Sequence, residues 1–164
     1  MSEKKDIRIF IDSERYEIEM SLFAGDDTDE LTPMTGSVDG EPEKMQIRTL
    51  GSLDVYDDGR VEISYDETEL TGLEGSRTCV SYSRESAETV TMMRTGAVST
   101  TLVFEKGKRH HCVYSTPYMP FEVCVRTLDV KNGLAQDGTL FIDYIVEIRG
   151  ARAERTKFSM TVME

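Results

Sequence analysis

This sequence predicts an all-β protein: a closed antiparallel up-and-down β-barrel of about 8–10 strands. Three observations lead there. Apolar and polar residues alternate with period two in run after run, which puts one face on a core and the other in water. The runs are short and evenly spaced between Gly, Pro, Asn and Asp turn residues, with no convincing amphipathic helix among them. A meander of that many strands leaves two edges prone to aggregation unless they pair with each other, and closing the sheet removes both.

In chain order, Ile7, Ile9 and Ile11 alternate with polar neighbours. After Asp12-Ser13-Glu14 so do Tyr16, Ile18, Met20 and Leu22, as two strands or as one long strand with a bulge. The stretch 24–43, AGDDTDELTPMTGSVDGEPE, is rich in turn formers and acids, and a flexible acidic loop is expected there. It lacks the alternate-position Asp run and terminal Glu of a calcium loop. Met45, Ile47 and Thr49 resume the alternation, and Leu53 and Val55 continue it past Gly51, where a bend or bulge is expected. Asp57-Asp58-Gly59 is a hairpin turn into Val61, Ile63 and Tyr65, and residues 71–75 read as loop. Arg77 to Ser83 is a strand and Arg84 to Thr89 a polar turn.

The chain is arranged around Val90 to Tyr118, three strands joined by tight turns at Thr95-Gly96 and Lys106-Gly107. Its middle strand sets Val98, Thr100, Leu102 and Phe104 on one face and Ser99, Thr101 and Glu105 on the other. Beyond Pro117 and Pro120, Phe121, Val123, Val125 and Thr127 mark a further strand, and Asn132-Gly133 and Asp137-Gly138 punctuate the connection that follows it. Leu140, Ile142, Tyr144, Val146 and Ile148 form the longest inner face; Thr156, Phe158, Met160 and Val162 form the last.

The 164 residues suit a single domain over 1–164, and 38% hydrophobic against 30% charged is an ordinary globular composition. The net charge of −12 repels phosphate backbones and anionic lipid, so no nucleic-acid or membrane partner is expected. That charge is uneven: residues 1–75 hold 7 Lys/Arg and 21 Asp/Glu, residues 76–164 hold 12 and 10. A charged N-terminus and no apolar run of bilayer length predict a cytoplasmic protein. Cys79, Cys112 and Cys124 are an odd set without CxxC spacing, read as reduced thiols in or near a core. No cofactor is expected, since phosphate-cradling glycine patterns are absent. Nor is a metal: His110 and His111, as strand neighbours, point to opposite faces.

From Met45 onward the chain resembles the YwiB-like domain of unknown function, placed among the calycin-like barrels with the lipocalins. The matching pieces are Ile63-Ser64-Tyr65-Asp66-Glu67, Met92-Met93-Arg94-Thr95-Gly96, Phe104-Glu105-Lys106-Gly107, Tyr114-Ser115-Thr116-Pro117-Tyr118, and Thr127 after an apolar strand. Met119-Pro120 departs from the glycine that the family tends to place there, and Asp26 to Glu43 looks like an insertion. The resemblance implies a calycin/lipocalin-like barrel of eight or more antiparallel strands and no established activity.

Arg94 is the most informative residue. It shares parity with Val90 and Met92, so a regular strand aims it into the barrel. A guanidinium keeps its proton, and burying it unpaired costs several kcal/mol, so it must meet a carboxylate, carbonyls, water or an anionic ligand. Glu67, in phase with Val61, Ile63 and Tyr65, is the candidate partner. The plain reading is a fixed pair that orders the barrel mouth; the functional one is an Arg94 that receives a ligand's carboxylate or phosphate. Tyr65, Tyr114 and Tyr144 could offer inward hydroxyls, though such tyrosines are more often core, and Thr116 shares the face of Tyr114. Candidate ligand-binding residues are therefore Arg94, Glu67, Tyr65, Tyr114 and Thr116, with no catalytic set.

Three functions remain open. The first is a non-catalytic barrel binding a small, mostly apolar ligand with an anionic group; it needs an open interior, and a barrel filled by Phe104, Phe121, Tyr144, Phe158 and the methionines would exclude it. The second is an acidic interaction or regulatory protein docking a basic partner. The third is an acid/base enzyme using Glu67 and Arg94. Oligomeric state and ligand identity are not legible in the sequence.

Overall fold

The structure, a computed structural model, describes residues 2–18, 42–67, 75–96, 99–115, 118–148 and 152–164. Met20, Leu22, Val98, Thr116, Pro117, residues 71–74 and nearly all of 24–43 lie outside the described residues, as do the side chains of Ile18, Phe121 and Ile148. Ten strands follow one another: β1 (Ser2–Ile18), β2 (Glu43–Tyr56), β3 (Arg60–Asp66), β4 (Arg77–Ser83), β5 (Ser86–Thr95), β6 (Thr100–Glu105), β7 (Arg109–Ser115), β8 (Pro120–Gly133), β9 (Thr139–Ile148) and β10 (Arg152–Met163). The described residues contain no helix, and so none long and apolar enough to cross a membrane.

All ten strands form one antiparallel sheet in the order β6-β5-β4-β3-β2-β1-β10-β9-β8-β7. Every pair of chain neighbours except β6 and β7 is therefore hydrogen-bonded, and β1 meets β10 over eleven residue pairs from Arg8–Met163 to Ile18–Ala153. This is the up-and-down meander expected, with its first and last strands joined. The barrel is nearly closed, and its seam falls between β6 and β7, inside the stretch predicted to be a simple three-stranded meander.

Turn chemistry explains two of the connections that are fully described. Gly59 and Gly107 take positive φ of 90° and 79°, which suits a residue without Cβ, and each sits in a hydrogen-bonded turn. Across the seam, among the described residues, Ser99 and Ser115 alone are bridged, by two backbone bonds of 3.0 and 2.8 Å. A regular hairpin would go on to pair Thr101 with Val113 and Val103 with His111, but that ladder is not made. At the turn end β8 intervenes. Thr127 O accepts from Gly107 N, Thr127 N donates to Lys108 O, and the Thr127 hydroxyl accepts from Glu105 N at 3.2 Å. A bulge between Thr127 and Asp129 brings this segment in against the turn.

The interior is filled by the odd residues of β1 to β3 and the even residues of β4 to β7, β9 and β10. Phe104, Ile63, Met92, Leu140, Ile142 and Met160 are fully buried, each contributing about 1.5–3 kcal/mol by leaving water. Phe104 and Tyr144 pack with ring centroids 4.6 Å apart.

Four local expectations need correction. Ser2–Ile18 is one strand with continuous register and no bulge, which puts Tyr16 opposite Arg155 with its hydroxyl donating to Glu14. Gly51 marks a close approach: a Cβ there would sit 2.5 Å from both Ile9 Cδ1 and Ser64 O, while β2 runs straight through in register with β1. The polar turn is only Arg84-Glu85, because β5 already begins at Ser86. Asn132-Gly133 ends β8 itself, which continues past its bulge.

Candidate functional site

Period-two alternation on β3, β4 and β5 delivers polar residues to the inner face at one end of the barrel. Val61, Ile63 and Tyr65 lead to Glu67; Tyr82 and Val80 lead to Thr78; Val90 and Met92 lead to Arg94. Cross-strand pairing sets Tyr65 opposite Thr78, and Thr78 opposite Arg94. Three neighbouring strands thus place a carboxylate, a hydroxyl and a guanidinium side by side.

The contacts form a short relay. Arg94 Nε donates to Thr78 Oγ1 at 3.3 Å, and the Thr78 hydroxyl donates to Glu67 Oε1 at 2.6 Å. Arg94 Nε also lies 3.6 Å from Glu67 Oε1 as an ion pair, with side chains 20% and 2% exposed respectively. The Glu67 backbone is anchored by its N–H donating to Ser76 O at 2.8 Å. Both Arg94 contacts use Nε; among the described residues no hydrogen bond reaches its terminal nitrogens. The guanidinium predicted to face inward does so, and it meets the predicted carboxylate.

Two buried phenols complete the surroundings. Burial pushes the Tyr65 hydroxyl far above its ordinary pKa; Glu67 pushes the same way, while Arg94 and Thr78 pull it back. Burial also raises Tyr144, against the opposing pull of Arg94 and a hydrogen bond with Thr156. Tyr114 is half-buried on β7 against the core cluster, across the seam from β6. Thr116 lies outside the described residues.

The unmade ladder opens a groove of about 520 Å³ between β6 and β7. Arg94, Thr100 and Cys112 line its inner side, and Val103 and Val113 line its flanks together with Met93 of β5. Thr100 is 5% exposed, and among the described residues its hydroxyl meets no oxygen or nitrogen partner and faces the Cys112 thiol. Burial raises the Cys112 thiol, and the nearby Thr100 hydroxyl draws it down. Sequence reasoning missed Thr78 and Thr100. The signal was there: each is a threonine at an inward position of an otherwise apolar run. At the turn between β6 and β7, the exposed Lys106 lies 3.5 Å from Asp129 and the exposed Lys108 2.9 Å from Glu105.

Fold and site together define a ten-stranded antiparallel barrel with an arginine–glutamate pair held inside one end. The chain belongs to the family described as "Domain of unknown function (DUF1934)", which residues 33–160 match. Among solved structures it is similar to the ywiB protein from Bacillus subtilis, at 18% identity and a TM-score of 0.61, covering 95% of this chain and 92% of that one. At that identity the likeness shows the fold alone. No curated protein matches.

Proposed function

We propose that this protein is a non-catalytic barrel that binds a small, mostly apolar ligand with an anionic group, which Arg94 receives. One observation carries the reading. Among the described residues the guanidinium is held inside the barrel through Nε, and the seam groove opens on it beside the buried Thr100 hydroxyl, whose neighbour is the Cys112 thiol. A carboxylate or phosphate there gains charge-assisted hydrogen bonds from the arginine and one more from Thr100. The apolar part of the ligand lies along Met93, Val103 and Val113, two of which, Met93 and Val113, are otherwise left in water. The barrel centre is filled by Phe104, Tyr144, Phe158, Met92 and Met160, which excludes the interior site expected from the sequence; the proposed ligand lies at the seam instead.

An acid/base role for Glu67 fits less well. Its side chain is 2% exposed, bonded to Thr78, and not part of the groove lining, so a molecule in the groove does not touch it. Native mass spectrometry of protein from its own host tests the proposal. A retained molecule carrying an acidic group, lost on Arg94→Gln, is expected. Ligand-free protein that also ignores added octanoate would count against it.

A further inference from the structure

The outer face of β2, β1 and β10 carries a second hollow, of about 580 Å³, unrelated to the barrel interior. Register fixes its pattern. Arg8 lies between Leu50 and Met163, and Phe10 lies between Arg48 and Thr161. The outer face of such a sheet should be polar, yet Leu50 is 75% and Met163 52% exposed. Arg48 stands 5.5 Å over the Phe10 ring.

The charges in the hollow are as unusual as its apolar surface. Among the described residues neither Arg8 nor Arg48 has an ion-pair partner, a lack shared with Arg84, whereas Arg15, Arg60, Arg77, Arg94, Arg109 and Arg155 each have one. Both lie in the half of the chain where 7 cations face 21 acids, so partners are not scarce. Two guanidiniums without an ion pair among the described residues, beside half-buried Phe10 and exposed Met163, are residue types enriched at protein interfaces, and exposed Leu50 adds apolar area to them.

We propose that this hollow docks a segment of a partner protein that presents carboxylates beside an aliphatic or aromatic side chain. The carboxylates meet Arg8 and Arg48, and the apolar side chain sits among Leu50, Phe10 and Met163. For a second copy of this chain, a two-fold axis along the strands over β1 sets Arg8 against Arg8, and one across them at Phe10 sets Arg48 against Arg48 while bringing Arg8 to Asp12, so the two-fold arrangements are mixed in charge where an acidic segment is not. Asp6 and Asp12, on the same face of β1, restrict anionic contacts to the two arginines and turn away extended polyanions and anionic lipid.

The test places the photo-crosslinking residue benzoylphenylalanine at Leu50, and at Lys131 as a control, in full-length protein irradiated in its own host. A protein adduct from Leu50 only is expected, with the crosslinked segment carrying Asp or Glu near an aliphatic or aromatic residue. Arg48→Glu, and Arg8→Glu separately, should cut its yield at least tenfold, and Arg48→Lys should keep most of it, with thermal midpoints unchanged. No site-specific adduct, an adduct to a second copy, to lipid or to nucleic acid, a segment without acids, or a yield indifferent to charge reversal would each overturn the proposal.

Discussion

Replacing Arg94 by Met leaves the Glu67 carboxylate inside the barrel with the Thr78 hydroxyl at 2.6 Å and no cation at 3.6 Å. Removing one partner of a fully buried pair costs about 3–5 kcal/mol. The cost here is smaller, because Arg94 is 20% exposed, the ion-pair contact is long, and Thr78 stays. A loss of about 2–3 kcal/mol is expected, lowering the thermal midpoint by about 4–10 °C for a chain of this size. Glu67→Gln alone, which leaves a partly hydrated cation, should cost about 1 kcal/mol. Removing both should cost less than the sum by about 1–2 kcal/mol, since neither variant then strands a buried charge. Urea unfolding of the four proteins measures each term, and an unchanged m-value certifies that the comparison concerns stability. An Arg94→Met midpoint equal to wild type, or strictly additive losses, would refute the claim that the two groups depend on each other.

Thr78→Val, nearly isosteric, should cost about 1–3 kcal/mol by removing the hydroxyl between Arg94 and Glu67, whereas Thr78→Ser should be close to neutral in the same unfolding assay. Gly96→Ala should destabilise the β4–β5 end by more than about 1 kcal/mol, because its φ of 117° is strained for a side chain and the new Cβ would lie 2.4 Å from Gly75 O. Thr127→Val should speed amide exchange at Glu105 and along β6, since the hydroxyl that accepts from Glu105 N is lost. Tyr65 and Tyr144 are raised by burial, so their contribution is fully present below the unfolded tyrosine pKa of roughly 10 and is lost as pH climbs toward the folded values. Ionisation followed at 295 nm should therefore show two tyrosines that titrate only as the protein unfolds; smooth titration of all seven near pH 10 would contradict the packing.

Alternation made the barrel readable because its interior positions are almost all aliphatic or aromatic, and a polar residue in that rhythm stands out. Arg94 after Val90 and Met92, and Glu67 after Ile63 and Tyr65, were placed by parity alone, and the structure puts both inside. Parity gives a face but not a neighbour. That Thr78 stands between them depends on the β3–β4 and β4–β5 registers, which no local pattern encodes. The seam was hidden for a related reason. Lys106-Gly107 is a sound turn and both flanking runs alternate, so nothing in the sequence marks that β8, through Thr127, takes the bonds a hairpin would have made. Exposed Leu50 and Met163 on the outer face also broke the alternation, but single exposed apolar residues are too common to read without coordinates.

The central claim is that Arg94 is an anion seat reached through the β6–β7 seam. The most direct measurement is the nitrogen-15 NMR signal of its Nε–H, assigned by its loss in Arg94→Lys, during titration with octanoate and, separately, with octanol. The signal should shift saturably with the carboxylate and stay put with the alcohol. No shift with octanoate, or the same shift with both, would mean that the guanidinium serves only its pairing with Glu67.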